Sequence, residues 1–186
     1  MPTASKKKAT QTSATKAATK GRSSKTIATD SSDAIKLLTT DHKEVKKLFK
    51  AYDQLVEADG DSDEKQELAR QICTMLTAHA TVEEELFYPA AREVLDDDED
   101  LVDEADVEHS TAKDLIAQIE ASTPDDPLYD AKVKVLGEYI DHHVKEEEGE
   151  MFPKVRKSDL DLDALGADMA ARKEELLAEL TEGLPA

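Results

Sequence analysis

Two segments of the chain, HATVEEELFYP at residues 79–89 and HVKEEEGEMFP at residues 143–153, align without a gap. Each places a glutamate four residues after a histidine: Glu83 after His79, and Glu147 after His143. On an α-helix that spacing is one turn, so imidazole and carboxylate share a face. Two further histidines stand alone, His42 after Asp41 and His109 after Glu108, as a weaker copy of the same doubling. One such histidine is explained by a single hydrogen bond in a core, but four unpaired buried imidazoles would cost about 1–3 kcal/mol each. Neutral imidazole mixed with carboxylate is a donor set for iron, manganese or zinc. Four imidazoles and two carboxylates suit a pair of ions with bridging carboxylates, leaving coordination positions open for water, an oxo bridge, oxygen or peroxide.

The elements that must hold these donors read as helices from Ser31 onward, with no strand alternation. A first helix over roughly 33–57 carries Ile35, Leu38, His42, Val45, Phe49, Tyr52 and Val56 at spacings of three and four. Asp59-Gly60-Asp61 ends it, and Asp61 or Ser62 caps a second helix running to about Arg92, with Leu68, Ile72, Met75, His79, Val82, Glu83 and Leu86 on its stripe. The acidic run from Asp96 to Asp100 precedes a third helix bearing Val102, Ala105, His109, Ala112, Ile116 and Ile119. Ser122-Thr123-Pro124 is expected to cap a fourth, with Val133, Leu136, Ile140, His143, Glu147 and Met151. A fifth, from about Asp161 to Leu180, has Leu162, Leu165, Met169, Leu176 and Leu180 but no histidine, and is expected to pack outside the others. Short connections predict an all-α, up-down-up-down four-helix bundle. Counting at ~1.5 Å per residue brings the inward histidines within about 3 Å of one level at the outer turns and about 9 Å at the middle one. His142 and Glu146 have the same spacing as His143 and Glu147, but His142 lies about 100° off the apolar stripe. It is therefore assigned a flanking role.

Charge divides the chain. Residues 1–30 hold seven Lys or Arg against one Asp, about +6, which leaves about −25 on the rest of a chain whose formal charge is −19. That Ala/Thr/Ser/Lys-rich stretch lacks the apolar residues to fix itself and is expected to be a disordered basic tail, capable of weak contact with nucleic acid or an acidic partner. The acidic body repels a phosphate backbone. With aromatics at 4% and no Trp, a base-stacking platform is not expected. No apolar run reaches membrane-spanning length, so a soluble cytoplasmic protein without a membrane partner is expected. A single cysteine, Cys73, excludes an internal disulfide framework and reads as a small core residue. The expected organisation is a tail (1–30), a metal-binding bundle (31–157) and a C-terminal amphipathic helix (158–186).

The order His, His-x-x-x-Glu, His, His-x-x-x-Glu over about residues 33–157 resembles the hemerythrin-like (HHE cation-binding) domain family. The resemblance implies two non-haem iron ions, oxo- or hydroxo-bridged, with His42, His79, Glu83, His109, His143 and Glu147 as ligands and the two glutamates bridging. It further implies binding or sensing of oxygen, nitric oxide or peroxide, or the decomposition of peroxide as an enzyme. Members that carry oxygen reversibly have another histidine four residues after that of the third helix, where this chain has Lys113. Asp106, one turn before His109, or water is expected to fill that position. Competing readings are a metal-free polar network, a structural zinc or manganese site, and a ferritin-like iron store, whose Glu-x-x-His spacing the inward stripe lacks. Glu84 and Glu148, beside the ligand glutamates, are expected on a solvated face, the alternative being acceptors that support the ligands from behind.

Overall fold

In a computed structural model the described residues are 33–95 and 98–182. The basic tail expected over residues 1–30 lies outside them. The described residues form helices and turns with no strand.

Asp33 opens α1 (Ala34–Glu57) by accepting the Lys36 N–H at 2.8 Å. The helix closes where Asp59 takes a left-handed φ of 51° and the Gly60 N–H reaches back to the Leu55 carbonyl at 2.7 Å. Asp61 then caps α2 (Ser62–Val82), accepting from Asp63 and Glu64. α2 runs through a π-helical turn (Glu83–Phe87) into α3 (Tyr88–Val94), forming one rod. α4 (Asp100–Glu120) returns antiparallel to it. α5 (Tyr129–Glu146) likewise continues through a second π turn (Glu147–Met151) into α6 (Phe152–Val155). α7 (Leu162–Glu182) follows, capped by the Asp161 carboxylate on the Ala164 N–H at 3.0 Å.

The fourth rod begins later than Ser122-Thr123-Pro124 predicts. Residues 121–128 are consecutive turns, and α5 starts only at Tyr129. Pro127 disfavours helical backbone at Asp126, whose carboxylate instead accepts the Leu128 N–H at 2.9 Å. Proline also explains the π turns. Pro89 and Pro153 have no N–H for the carbonyls of Glu85 and Gly149, and each ring crowds that carbonyl. The turn widens, and the Tyr88 and Phe152 N–H groups bond the carbonyls of Glu83 and Glu147, five residues back. This extra residue rephases the stripe. Leu86, expected on the core face, is only half-buried, while Phe87 and Tyr88 are buried.

α1 packs on α2 and α5, and α4 packs on α5 and α2, closing a four-rod bundle. Its core is two apolar clusters. One gathers Leu38, Val82, Phe87, Val102 and Phe152, and the other Val45, Ile72, Leu136, Ile140 and Ile116. Cys73 sits in the second, and burial together with the Glu120 charge pushes its thiol up to about 12. Between the clusters lies a layer of buried polar groups. α7 covers α1, α2 and the first π turn from outside the four rods. It buries Met169 and Leu176 in the first cluster. Among the described residues no helix is long and apolar enough to cross a membrane.

Met169 is fully buried, so Met169→Ala is expected to cost about 2–5 kcal/mol in urea unfolding. A cost below about 0.5 kcal/mol, the range of surface substitutions, would mean that α7 is not part of the core.

Candidate metal centre

Each rod of the bundle contributes to the polar layer. His42 enters from α1, His79 from α2, His109 from α4 and His143 from α5, all 6% exposed or less. Glu83 and Glu147, the first residues of the two π turns, are 0% and 1% exposed. All six residues singled out by the sequence meet here. Glu83 Oε2 stands 3.1 Å from His79 Nε2 and 3.4 Å from His109 Nε2. Glu147 Oε2 stands 3.4 Å from His143 Nε2 and 3.2 Å from His42 Nε2. Each carboxylate thus faces the imidazole one turn back on its own rod and the lone imidazole of the other half. The donors form two groups, His42 with His79, Glu83 and Glu147, and Glu83 with His109 and His143, the atoms of each within 4.8 Å of one another.

A second ring orients the first. The Nδ1–H of His42 donates to Glu148 at 2.9 Å, and that of His79 to Asp41 at 3.2 Å. His109 donates to Glu84 at 3.0 Å, and His143 to Glu108 at 2.7 Å. An ionised carboxylate only accepts, so each Nδ1 carries a proton, and Nε2 faces inward in all four rings. Glu84 and Glu148, expected on a solvated face, keep 29% and 39% of their side chains exposed and at the same time grip the lone histidines. The π turns bring them across the bundle to the lone histidines of the opposite half. Asp41 is itself held by Lys173 of α7, and Glu84 by Lys113 at 2.5 Å. Lys113 therefore acts on a carboxylate partner of His109. Asp106 is corrected: it lies outside the layer, paired with Arg92 at 2.8 Å. His142 flanks the layer with its side chain 61% exposed.

Tyr88 escaped the sequence reading. Five positions after Glu83 it would lie about 140° away on an unbroken α-helix. The π turn swings it into the layer, where its hydroxyl donates to Glu147 Oε1 at 3.0 Å and lies 3.2 Å from His109 Nε2. The repeat marks this position too. Its counterpart Phe152 stacks on His42 at 5.8 Å, without a hydroxyl. The proline one residue later, in both halves, was the available signal.

Five buried atoms in the layer have no hydrogen-bond partner: His42 Nε2, His79 Nε2, both oxygens of Glu83, and Glu147 Oε2. Orphaned acceptors converging on one place are what a bound cation satisfies. Without it, protons take that role. Burial opposes a charged imidazole, but the Glu83 charge and the hydrogen bond to Asp41 outweigh it and lift His79 to about 10. Burial is likewise outweighed at His109, which Glu83 and Glu84 raise to about 9. Burial would raise Glu83, yet His79 and His109 hold it well below the usual carboxylate range.

Residues 33–155 match the family model of the hemerythrin HHE cation-binding domain. The chain belongs to this family. A protein of Nostoc sp. (strain PCC 7120 / SAG 25.82 / UTEX 2576) named DNA nickase is 34% identical over 124 residues, covering 66% of this chain. The chain spans only 33% of that relative's length. A solved hemerythrin HHE cation binding domain-containing protein from Mycobacterium kansasii superposes with a TM-score of 0.65 at 24% identity, covering 79% of this chain and 88% of its own. The HHE domain of this chain thus combines a cation-binding family, a shared fold and buried His/Glu clusters fit for metal.

Two outcomes follow for the HHE bundle. His79 and His109 titrate above their ordinary 6.5, so their contribution to metal-free stability is complete below pH 6.5 and lost as pH rises through about 9 to 10. The melting temperature of the metal-free protein is expected to fall across that window, and an unchanged value by scanning calorimetry would contradict it. Tyr88→Phe removes the donor on Glu147 Oε1 and is expected to weaken metal binding about 10–100-fold, read by competition with a chelator.

Proposed function

We propose that the chain is a non-haem di-iron protein that binds or senses oxygen, nitric oxide or peroxide. In this reading His42 and His79 would hold one ion and His109 and His143 the other, with Glu83 and Glu147 as the carboxylates they would share. The observation that carries it is the cluster of five unpartnered buried donor atoms on His42, His79, Glu83 and Glu147, beside a second donor group in which His109 and His143 share Glu83. A pair of irons would supply redox-active cations with positions left open beyond the six protein donors.

A small cavity supports a small ligand. About 20 Å³ of space lies beside His79, His109 and His143, walled by Leu76, Ile116, Ile140 and Val144. That holds a molecule of roughly water size, and its walls also include Asp41, Thr77 and Lys113. That scale is in keeping with a small ligand such as a diatomic gas or peroxide. The chain's own groups do the remaining work: the carboxylate ring fixes the imidazoles, Tyr88 holds Glu147, and the two apolar clusters keep bulk water out.

Peroxide decomposition is the second reading. It is favoured by Lys113, which is tied to Glu84 and leaves the His109/His143 side with two imidazoles. A metal ion on that side would keep a coordination position open for an oxidant. The activity named for the Nostoc relative is not proposed here, because the match covers a third of that protein and the acidic body repels a phosphate backbone.

Elemental analysis of purified protein is expected to give two irons per chain together with visible absorption; zinc alone, or no metal, overturns the di-iron reading. His79→Ala is expected to lose metal. If that variant consumed peroxide in stopped flow as fast as the parent, the enzymatic reading would fail.

A further inference from the structure

A third group of metal-type donors lies outside the buried layer, on the seam between α4 and α5. Glu108, His142 and Glu146 present atoms within 4.8 Å of one another. His142 Nε2 is 3.2 Å from Glu146 Oε1 and 3.6 Å from Glu108 Oε1. The group borders an open depression of about 460 Å³, whose other walls are Asp100, Asp103, Glu104 and Val107. No Lys or Arg lines it, although Arg92 engages Asp103 from the side.

Beneath the depression a cavity of about 10 Å³ shares the walls Glu104, Glu108 and Glu146 and reaches His143 and Glu147. Glu147 is 1% exposed, and its Oε2 has no hydrogen-bond partner. A file of donors therefore leads from solvent to the buried layer: His142 and Glu146 outside, Glu108 between, Glu147 within. Glu108 faces both ways, taking the His143 Nδ1–H on Oε2 while Oε1 faces His142. The other flanks are less hospitable to a cation. Ammonium groups of Lys173 and Lys113 stand at Asp41 and Glu84, and Glu148 belongs to no such donor group among the described residues.

We propose that Glu108, His142 and Glu146 form a capture site for a hydrated divalent cation, which reaches the buried donors through the α4/α5 seam. The inference rests on the reading of the buried layer as a metal centre. Imidazole with two carboxylates binds borderline divalent ions. A cleft lined by one sign of charge raises the local concentration of counter-ions and their association rate by about 10–1000-fold, an advantage that salt removes. His142 is exposed, so a captured ion keeps part of its water shell and is held loosely enough to move on.

The test uses the metal-free full chain and Co²⁺ alone as probe, with loading followed by cobalt absorption in stopped flow. The double variant His142→Ala/Glu146→Gln leaves Glu108 on His143 and alters only side chains at the surface of the seam. Its final cobalt content and circular dichroism are expected to equal the parent's. Its loading rate is expected to fall at least about 10-fold and to lose most of its salt dependence. By calorimetry the loaded parent is expected to take up one further, weaker Co²⁺ that the double variant does not. An unchanged loading rate overturns the capture site while leaving the buried centre standing. A lowered final content also overturns it, since these residues would then be supports of the centre itself. A parent that binds no cobalt at all overturns the underlying metal reading.

Discussion

Two carboxylates without exposure, set between two apolar clusters, govern the rest of this molecule. An ionised carboxylate taken from water into such surroundings costs several kcal/mol unless positive charge meets it. Glu83 and Glu147 are met by four imidazoles whose inward nitrogens stand 3.1–3.4 Å away. In the metal-free protein, protons on His79 and His109 supply that charge. In the proposed loaded state cations supply it, and the imidazoles return to neutral donors. Binding metal and releasing protons are thus one exchange at one place.

Holding that layer in register takes more than the six inner residues. A carboxylate grips the outer nitrogen of every imidazole, and two of those carboxylates are gripped in turn by lysines. Two of the four pairs are swapped between the halves of the doubled chain. Glu84 of the first half holds His109 of the second, and Glu148 of the second holds His42 of the first. Tyr88 lies against His109 as Phe152 lies against His42. The doubling is not perfect: one half has a phenol hydroxyl, on Glu147, and the other has none. The two sides of the centre are therefore chemically unequal, although the helices around them are alike.

Two approaches to the layer differ in chemistry. The cavity beside His79, His109 and His143, with Leu76, Ile116, Ile140 and Val144 in its walls, is the place of the small ligand in the proposed function. The acidic seam between α4 and α5 suits a cation. α7 closes part of the exterior and reaches inward through Lys173 to Asp41, so a helix without any donor of its own still bears on His79.

The sequence by itself determined the helices, the doubling and the six inward donors. Helical periodicity is local, and one-turn spacing puts His79 with Glu83, and His143 with Glu147, on a shared face in any packing. It could not locate the partners of those residues. Glu84 and Glu148 sit on the flank of their helices, and whether a flank meets solvent or another rod depends on how the rods cross. Tyr88 was hidden for a sharper reason: its place depends on a π turn that adds one residue to the phase, and a fixed 100° step assigns it to the wrong side. Asp106, one turn from His109, was a fair candidate by spacing, yet Arg92 on a neighbouring rod draws it away. Only tertiary structure decided these, because each is settled by a contact between residues far apart in the chain.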